Sequence, residues 1–229
     1  MMRIYRNFKE AHGEIIRDIV EMGIRVYPKT YQNKHIEGKT EFETLELQNY
    51  MYTVTEPDTH DLTPTQPWAS AEFRERVKAS NTVINPGEAW KLRPDVWSQF
   101  INSEGCFDYT YNERYNQYDG LNQTISLLKK DPGTRQAYLS VWNPKDVMGG
   151  GGKLRIPCSL GYLFQIRQDK LNMVYIMRSC DFVTHFQNDV YLSFRLQQFI
   201  SNKVGVPVGS FTQFIASLHI YQKDADGVF

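Results

Sequence analysis

Two apolar, strand-forming stretches, residues 160–166 and 171–177, flank Asp169-Lys170 and read as a β-hairpin. No other feature constrains the fold of this chain as strongly. A hairpin brings the chain back to the edge where it started, so the residues before its first strand and after its second become neighbours. Here those residues are Ile156-Pro157-Cys158 on one side and Arg178-Ser179-Cys180-Asp181 on the other. A nucleophile, a cation and an acid are thus placed together at strand ends, and Phe186-Gln187-Asn188-Asp189 follows directly. The glycine run 149–152 ahead of Cys158 leaves room for a ligand to approach. A lone cysteine more often serves as a small buried hydrophobe. Flanking arginines, Arg155 and Arg178, would instead lower the thiol pKa and supply thiolate at neutral pH.

Periodicity elsewhere mixes helices and strands without regular alternation. Residues 8–22 put Phe8, Ala11, Ile15, Ile16, Ile19 and Val20 on one helical face, closed by Gly23. Residues 41–55 alternate as a strand, and 56–66 read as a loop. The spacing predicts helices over 67–79, 94–102, 114–130 and 190–204, the last stopped by Gly205, with strands over 136–142 and 206–221. These elements predict an α/β (α+β) fold, a large twisted mixed sheet covered by helices, in one domain spanning residues 1–229.

Composition narrows the function classes. With 26 basic and 26 acidic residues there is no polyelectrolyte surface for nucleic acid or membrane, so a bound anion must meet a few placed arginines. No run approaches the ~20 apolar residues of a membrane span. Three cysteines without metal-ligand spacing, and an N-terminus without a signal-like apolar core, suit a reducing cytoplasm. The run Gly149-Gly150-Gly151-Gly152-Lys153 lacks the Ser or Thr and the strand–loop–helix order of a phosphate loop.

Pro157-Cys158, Arg178-Ser179-Cys180-Asp181 twenty residues on, the turn Asp131-Pro132-Gly133-Thr134-Arg135, and Ser217-Leu218-His219-Ile220-Tyr221 together resemble the thymidylate synthase family. The resemblance runs from about residue 11 to 221 and is strongest from Asp131 onward. It implies a sheet-mediated homodimer and addition of the Cys158 thiolate to C6 of a pyrimidine nucleotide, with 5,10-methylenetetrahydrofolate as one-carbon co-substrate. It further implies that Lys29, Arg178 and Ser179 bind phosphate, with Arg135 reaching into the neighbouring subunit's site. His219 and Tyr221 would hold the sugar 3′-hydroxyl, Asp181 would lie near the pterin, and Tyr111 near the thiol. Glu72 would organise water and proton transfer, with Glu75 as its rival. Gln136 departs from the pattern, standing where a second arginine is expected. The chain ends eight residues after Tyr221. Either Gly227-Val228-Phe229 closes the folate site or that site is more open, which would admit water.

Asp189 separates the branches of the family. Where synthases carry an Asn that reads uracil, eleven residues after the Arg, this chain has Asp189, as in the phage deoxycytidylate hydroxymethylase branch. Cytosine offers an acceptor at N3 and a donor at N4, which a carboxyl group serves by sharing a proton with N3. An ionised Asp against uracil O4 would set two acceptors together, at ~1–3 kcal/mol per unpaired group. The resemblance therefore implies dCMP as substrate and 5-hydroxymethyl-dCMP as product. Three alternatives stay open: a cytidylate methylase, a dUMP-acting enzyme reading through Asn188 one place earlier, and a non-enzymatic nucleotide binder. Asp189 could also merely cap the helix that follows.

Overall fold

The computed structural model describes residues 2–79 and 82–225. Its centre is the hairpin. Strand β7 (Ser159–Arg167) and strand β8 (Lys170–Met177) pair antiparallel, from Ser159 opposite Met177 to Arg167 opposite Lys170. The two turn residues are Gln168 and Asp169, one place earlier than the sequence suggests, both left-handed at φ 51° and 56°. That geometry matches the right-handed twist of the strands it joins.

The hairpin belongs to an eight-stranded sheet ordered β1-β5-β10-β8-β7-β6 among the described residues. Here β1 is Met2–Tyr5, β5 Thr44–Val54, β6 Tyr138–Ser140 and β10 Val208–Tyr221. Strand β10 runs parallel to β8 and antiparallel to β5. The short strand β2 (Ile24–Val26) pairs with β5, and β9 (Cys180–Asp181) lies parallel to the end of β10. Strands β3 (Thr30–Tyr31) and β4 (Lys34–His35) form a separate pair. The expectation of a mixed twisted sheet under helices is met, with β1 to β4 as strands that periodicity did not reveal.

Helix α1 (Phe8–Met22) is capped by Asn7, whose side chain accepts from Glu10 N–H at 2.9 Å. Its Phe8 ring meets Phe194 and Phe211 edge-on at 5.3 and 5.1 Å, fixing α1 against strand β10 and helix α6 (Phe186–Val204). Helix α6 ends where Gly205 turns left-handed at φ 85°. It begins four residues before the predicted start, with His185 at the cap. Asp189 is therefore inside the helix, its N–H bonded to His185 O at 2.8 Å, and it caps nothing.

The expected continuous helix over 114–130 is divided into α4 (Tyr111–Asn116) and α5 (Gly120–Lys130). Tyr118 and Asp119 between them adopt left-handed angles, and Tyr118 is 91% exposed although its spacing aligned it with Leu121. The two flanking pieces are independently anchored, α4 by a Thr110/Glu113 capping box and α5 by buried Leu121, Ile125 and Leu128. Helix α2 (Trp68–Arg76) is shorter than predicted, and 94–102 resolves into α3 (Pro94–Trp97) and a 3-10 turn. No helix among the described residues is long and apolar enough to cross a membrane.

Candidate active site

The sheet assembles the thiol site through backbone bonds. Arg178 N–H donates to Cys158 O at 2.9 Å where the hairpin closes, and Ser217 N–H donates to Arg178 O at 3.1 Å. Phe182 N–H reaches His219 O at 2.8 Å. These bonds bring the start of β7 and the ends of β8, β9 and β10 to one side of the molecule. A cleft opens there, lined by Cys158, Arg178, Ser179, Asp181, Asp189, His219 and Tyr221. Tyr111 lines it too.

Cys158 is half-buried, with two donors near its sulfur: Gln32 Nε2 at 3.6 Å and Arg178 Nη2 at 3.8 Å. Arg178 is fixed at the same time by bonds to Pro157 O (2.8 Å) and Ile156 O (3.2 Å). Arg155, expected beside the thiol, instead places its guanidinium among aromatic rings. Next to the thiol, Ser159 joins two buried tyrosines. Its Oγ lies 2.8 Å from Tyr111 OH and 2.6 Å from Tyr175 OH. The Tyr111 phenol is held protonated, its pKa pushed up by burial.

Asp189 faces the cleft from α6. Cys180 Sγ donates to its Oδ2 at 3.8 Å. Burial pushes the carboxyl up from 3.8 to about 7, against the opposing pull of Arg76. The Cys180 thiol is itself pushed well up by burial and stays a donor. Asn188 points elsewhere: its Oδ1 accepts from Thr65 N–H at 2.8 Å, and its amide donates to Thr65 Oγ1 at 3.3 Å. The one-residue slip that would offer Asn188 to a ligand is not what the helix does.

At the end of β10, alternation puts His219 and Tyr221 on one side, with ring centroids 4.9 Å apart. Burial lowers the His219 pKa, so the ring is neutral; its Nδ1 lies 3.3 Å from Ser217 Oγ, which donates to Glu46 at 2.6 Å. Asp181 Oδ1 accepts from Val183 and Thr184 N–H, both at 3.1 Å.

A side chamber adjoins the cleft, sharing Trp68, Arg76, Trp97, Tyr109, Tyr111 and Arg155 with it. Glu72 and Glu75 line this chamber and have different commitments. Glu75 Oε1 accepts from Glu88 and Ala89 N–H, at 2.9 and 3.0 Å, and so holds the Pro86-Gly87-Glu88 turn. Glu72 accepts from Arg76 Nε at 2.8 Å, and the Arg76 guanidinium lies 3.6 Å from the Tyr111 ring centroid. Arg76 was missed, although its place one helical turn beyond Glu72 could have signalled the pair. Tyr31 and Gln32 were missed as well, and no local pattern marks them.

One phosphate ligand expected in this cleft is not brought there. Lys29 pairs with Glu37 at 2.8 Å, its side chain 75% exposed, while its neighbour Thr30 lines the cleft. Arg135 is exposed and lies outside the cleft, as does Gln136. Gly227-Val228-Phe229 lie outside the described residues.

A thiol and a fixed arginine at the strand ends of a mixed sheet thus share one cleft with the Asp189 carboxyl of α6. Residues 86–228 match the family model for thymidylate synthase, and the chain belongs to that family of folate-dependent one-carbon transferases. A protein of Methanococcoides burtonii named "Putative thymidylate synthase" is 25% identical over 190 residues, covering 80% of this chain and 76% of that one. The deoxyuridylate hydroxymethyltransferase of Pseudomonas phage M6 is 32% identical over 126 residues, 54% of this chain and 35% of that one. In fold, the thermostable thymidylate synthase A of Bacillus subtilis superposes with a TM-score of 0.74 at 18% identity, over 96% of this chain and 82% of that one.

Proposed function

We propose that this protein is a deoxycytidylate 5-hydroxymethyltransferase, which adds a one-carbon unit to C5 of dCMP and completes it with water to give 5-hydroxymethyl-dCMP. The observation that carries this reading is the orientation of α6: Asp189 faces the cleft, and Asn188 is spent on Thr65. A carboxyl that titrates at about 7 is partly protonated near neutrality. It can give its proton to cytosine N3 and accept from the N4 amino group.

The family uses 5,10-methylenetetrahydrofolate, which supplies the methylene carbon. The aromatic wall of Trp68, Trp97 and Tyr109 suits a flat ring of that kind. Cys158, with Arg178 favouring its thiolate, adds to C6 and makes C5 nucleophilic. Arg178 and Ser179 hold the phosphate, and His219 and Tyr221 the sugar 3′-hydroxyl. Asp181 lies at the donor ring, Tyr111 beside the reacting carbons, and Glu72 at the water that finishes the product. The sheet carries two cross-strand rows, Leu163–Val174–Thr212–Thr53 and Ile176–Phe214–Met51, half-buried at every position except the buried Thr212, a surface suited to a second copy. Pairing there would let the exposed Arg135 serve the neighbouring site.

Incubation with methylenetetrahydrofolate and each of dCMP, CMP and dUMP, followed by product mass, tests the reading. Hydroxymethylated dCMP is expected; a methylated product with dihydrofolate would reject the water step. The relative from Pseudomonas phage M6 favours a second reading, the same chemistry on dUMP, which faster dUMP turnover would select.

A further inference from the structure

Arg155 is a buried cation without a counter-charge. It is 9% exposed, and its guanidinium carbon lies 4.6 Å from the Tyr109 ring centroid, 4.8 Å from Trp97, 5.3 Å from Phe100 and 5.7 Å from Phe107. Asp108 accepts from the Arg155 backbone N–H at 2.8 Å, not from its side chain. Among the described residues no hydrogen bond or ion pair reaches the guanidinium. Ring faces attract a cation and offset part of its desolvation, but they leave its N–H groups unpaired.

The Arg155 guanidinium lines the cleft with its nitrogens not fully enclosed, whereas the neighbouring side chains hold donors that are enclosed outright. Trp97 stacks on Trp68 at 5.6 Å, and Arg93 lies over Trp68 at 5.4 Å. Trp68 Nε1, Trp97 Nε1 and Arg93 Nη1 are each buried without a partner. The unpaired groups of this stack are all donors. Buried donors are ordinarily satisfied, so the two on the cleft wall, Trp68 Nε1 and Trp97 Nε1, together with the cleft-lining Arg155, describe the ligand that completes them. That ligand is flat, to lie against the rings, and presents acceptors at its edge. The groups assigned to dCMP lie elsewhere, on Cys158, Arg178, Ser179, Asp189, His219 and Tyr221.

We propose that Arg155 is a specificity-determining residue for the one-carbon donor, binding a carbonyl-bearing edge of its heteroaromatic ring. The proposal rests on the folate-dependent reading above. A ring with an amino group in place of that carbonyl sets donor against donor and is disfavoured.

Folic acid and its 4-amino analogue aminopterin differ at that substituent. Their binding in the presence of dCMP is followed by quenching of tryptophan fluorescence, which Trp68 and Trp97 in the wall would report. The wild-type protein is expected to prefer folic acid by about tenfold. In Arg155→Met the preference falls to within about twofold, with dCMP affinity and the rate of Cys158 alkylation by iodoacetamide unchanged. Arg155→Lys, which keeps the charge but loses the planar fork, retains part of the preference. It carries the test if the methionine variant fails to fold. An unchanged preference in both variants overturns the proposal. So does a loss of dCMP affinity equal to the loss for folic acid, which marks a structural role, or a slowed alkylation with the preference intact, which assigns Arg155 to the thiol. Failure of the wild-type protein to bind either pteridine sinks the folate reading itself, an outcome visible before any variant is made.

Discussion

The strand-end side of the cleft and the wall it shares with the side chamber are built by different means. At the strand ends, Cys158, Arg178 and His219 are held by main-chain bonds of 2.8 to 3.1 Å that do not depend on which side chains are present. In the shared wall the supporting elements are short, nine residues in α2 and four in α3, and side chains hold one another. Arg76 lies on Tyr111, Trp68 on Trp97, and Arg155 among four rings. A backbone ladder suits atoms that must meet a reacting carbon in one geometry. Packed rings and cations suit discrimination, because one substitution reshapes the surface a ligand meets.

The most severe way to break this comparison is at the sulfur. Cys158→Ser is expected to reduce turnover by about a thousandfold or more, and to abolish tritium release from C5 of labelled nucleotide. Its melting temperature should stay close to that of the parent, since the thiol makes only long contacts at 3.6 and 3.8 Å. Retained turnover would show that the strand-end site does no covalent chemistry. The shared wall should respond in the opposite way. Arg76→Met leaves Glu72 without its partner beneath a buried tyrosine network. Loss of one member of a buried pair costs roughly 3 kcal/mol, the low end suiting a partly exposed Glu72. For a chain of this size that lowers the melting temperature by roughly 6–12 °C.

The same division explains what could be read from the sequence. The hairpin, the β10 alternation that pairs His219 with Tyr221, and the α1 face are periodic, and periodicity reports backbone geometry. The shared wall has no period. Arg155 lies three residues from the thiol in sequence, yet its guanidinium is drawn to Trp97, Phe100, Phe107 and Tyr109, contributed by segments far from it in the chain. The break at Tyr118 escaped notice because two adjacent helices kept the same apolar spacing across left-handed residues. Asp189 stood out by its distance from Arg178, but that it lines the cleft while Asn188 is bonded to Thr65 depends on the rotation of α6, which sequence spacing does not give.

Asp189 joins the two regions and permits a sharper test. On the proposed reading Asp189→Asn replaces a proton-sharing acid with an amide that complements uracil, so the ratio of dCMP to dUMP turnover should fall by about a hundredfold. Stability should change with pH in a defined direction. The folded carboxyl titrates at about 7 and the unfolded one near 3.8. The native state therefore keeps its proton longer, and this contribution is complete below about pH 4 and lost as pH rises toward 7. The Asn variant has no such loss. Its melting temperature relative to the parent should climb between pH 4 and 7 and then level off, and a flat difference would show that Asp189 is not enclosed.

Lys29 marks the outer limit of the site and should give the smallest effect. The family resemblance implies Lys29 as a phosphate ligand, but its neighbour Thr30 lines the cleft, while Lys29 meets Glu37 with both side chains more than two-thirds exposed. Exposed ion pairs of this kind are screened by salt and hold their side chains loosely. Lys29→Ala should change kcat/KM for the nucleotide by less than about twofold at physiological salt, where one surface charge is largely screened. A tenfold rise in KM that shrinks with added salt would mean that β3 and β4 swing inward when nucleotide binds, extending the adaptable wall to a loop that at present lies outside it.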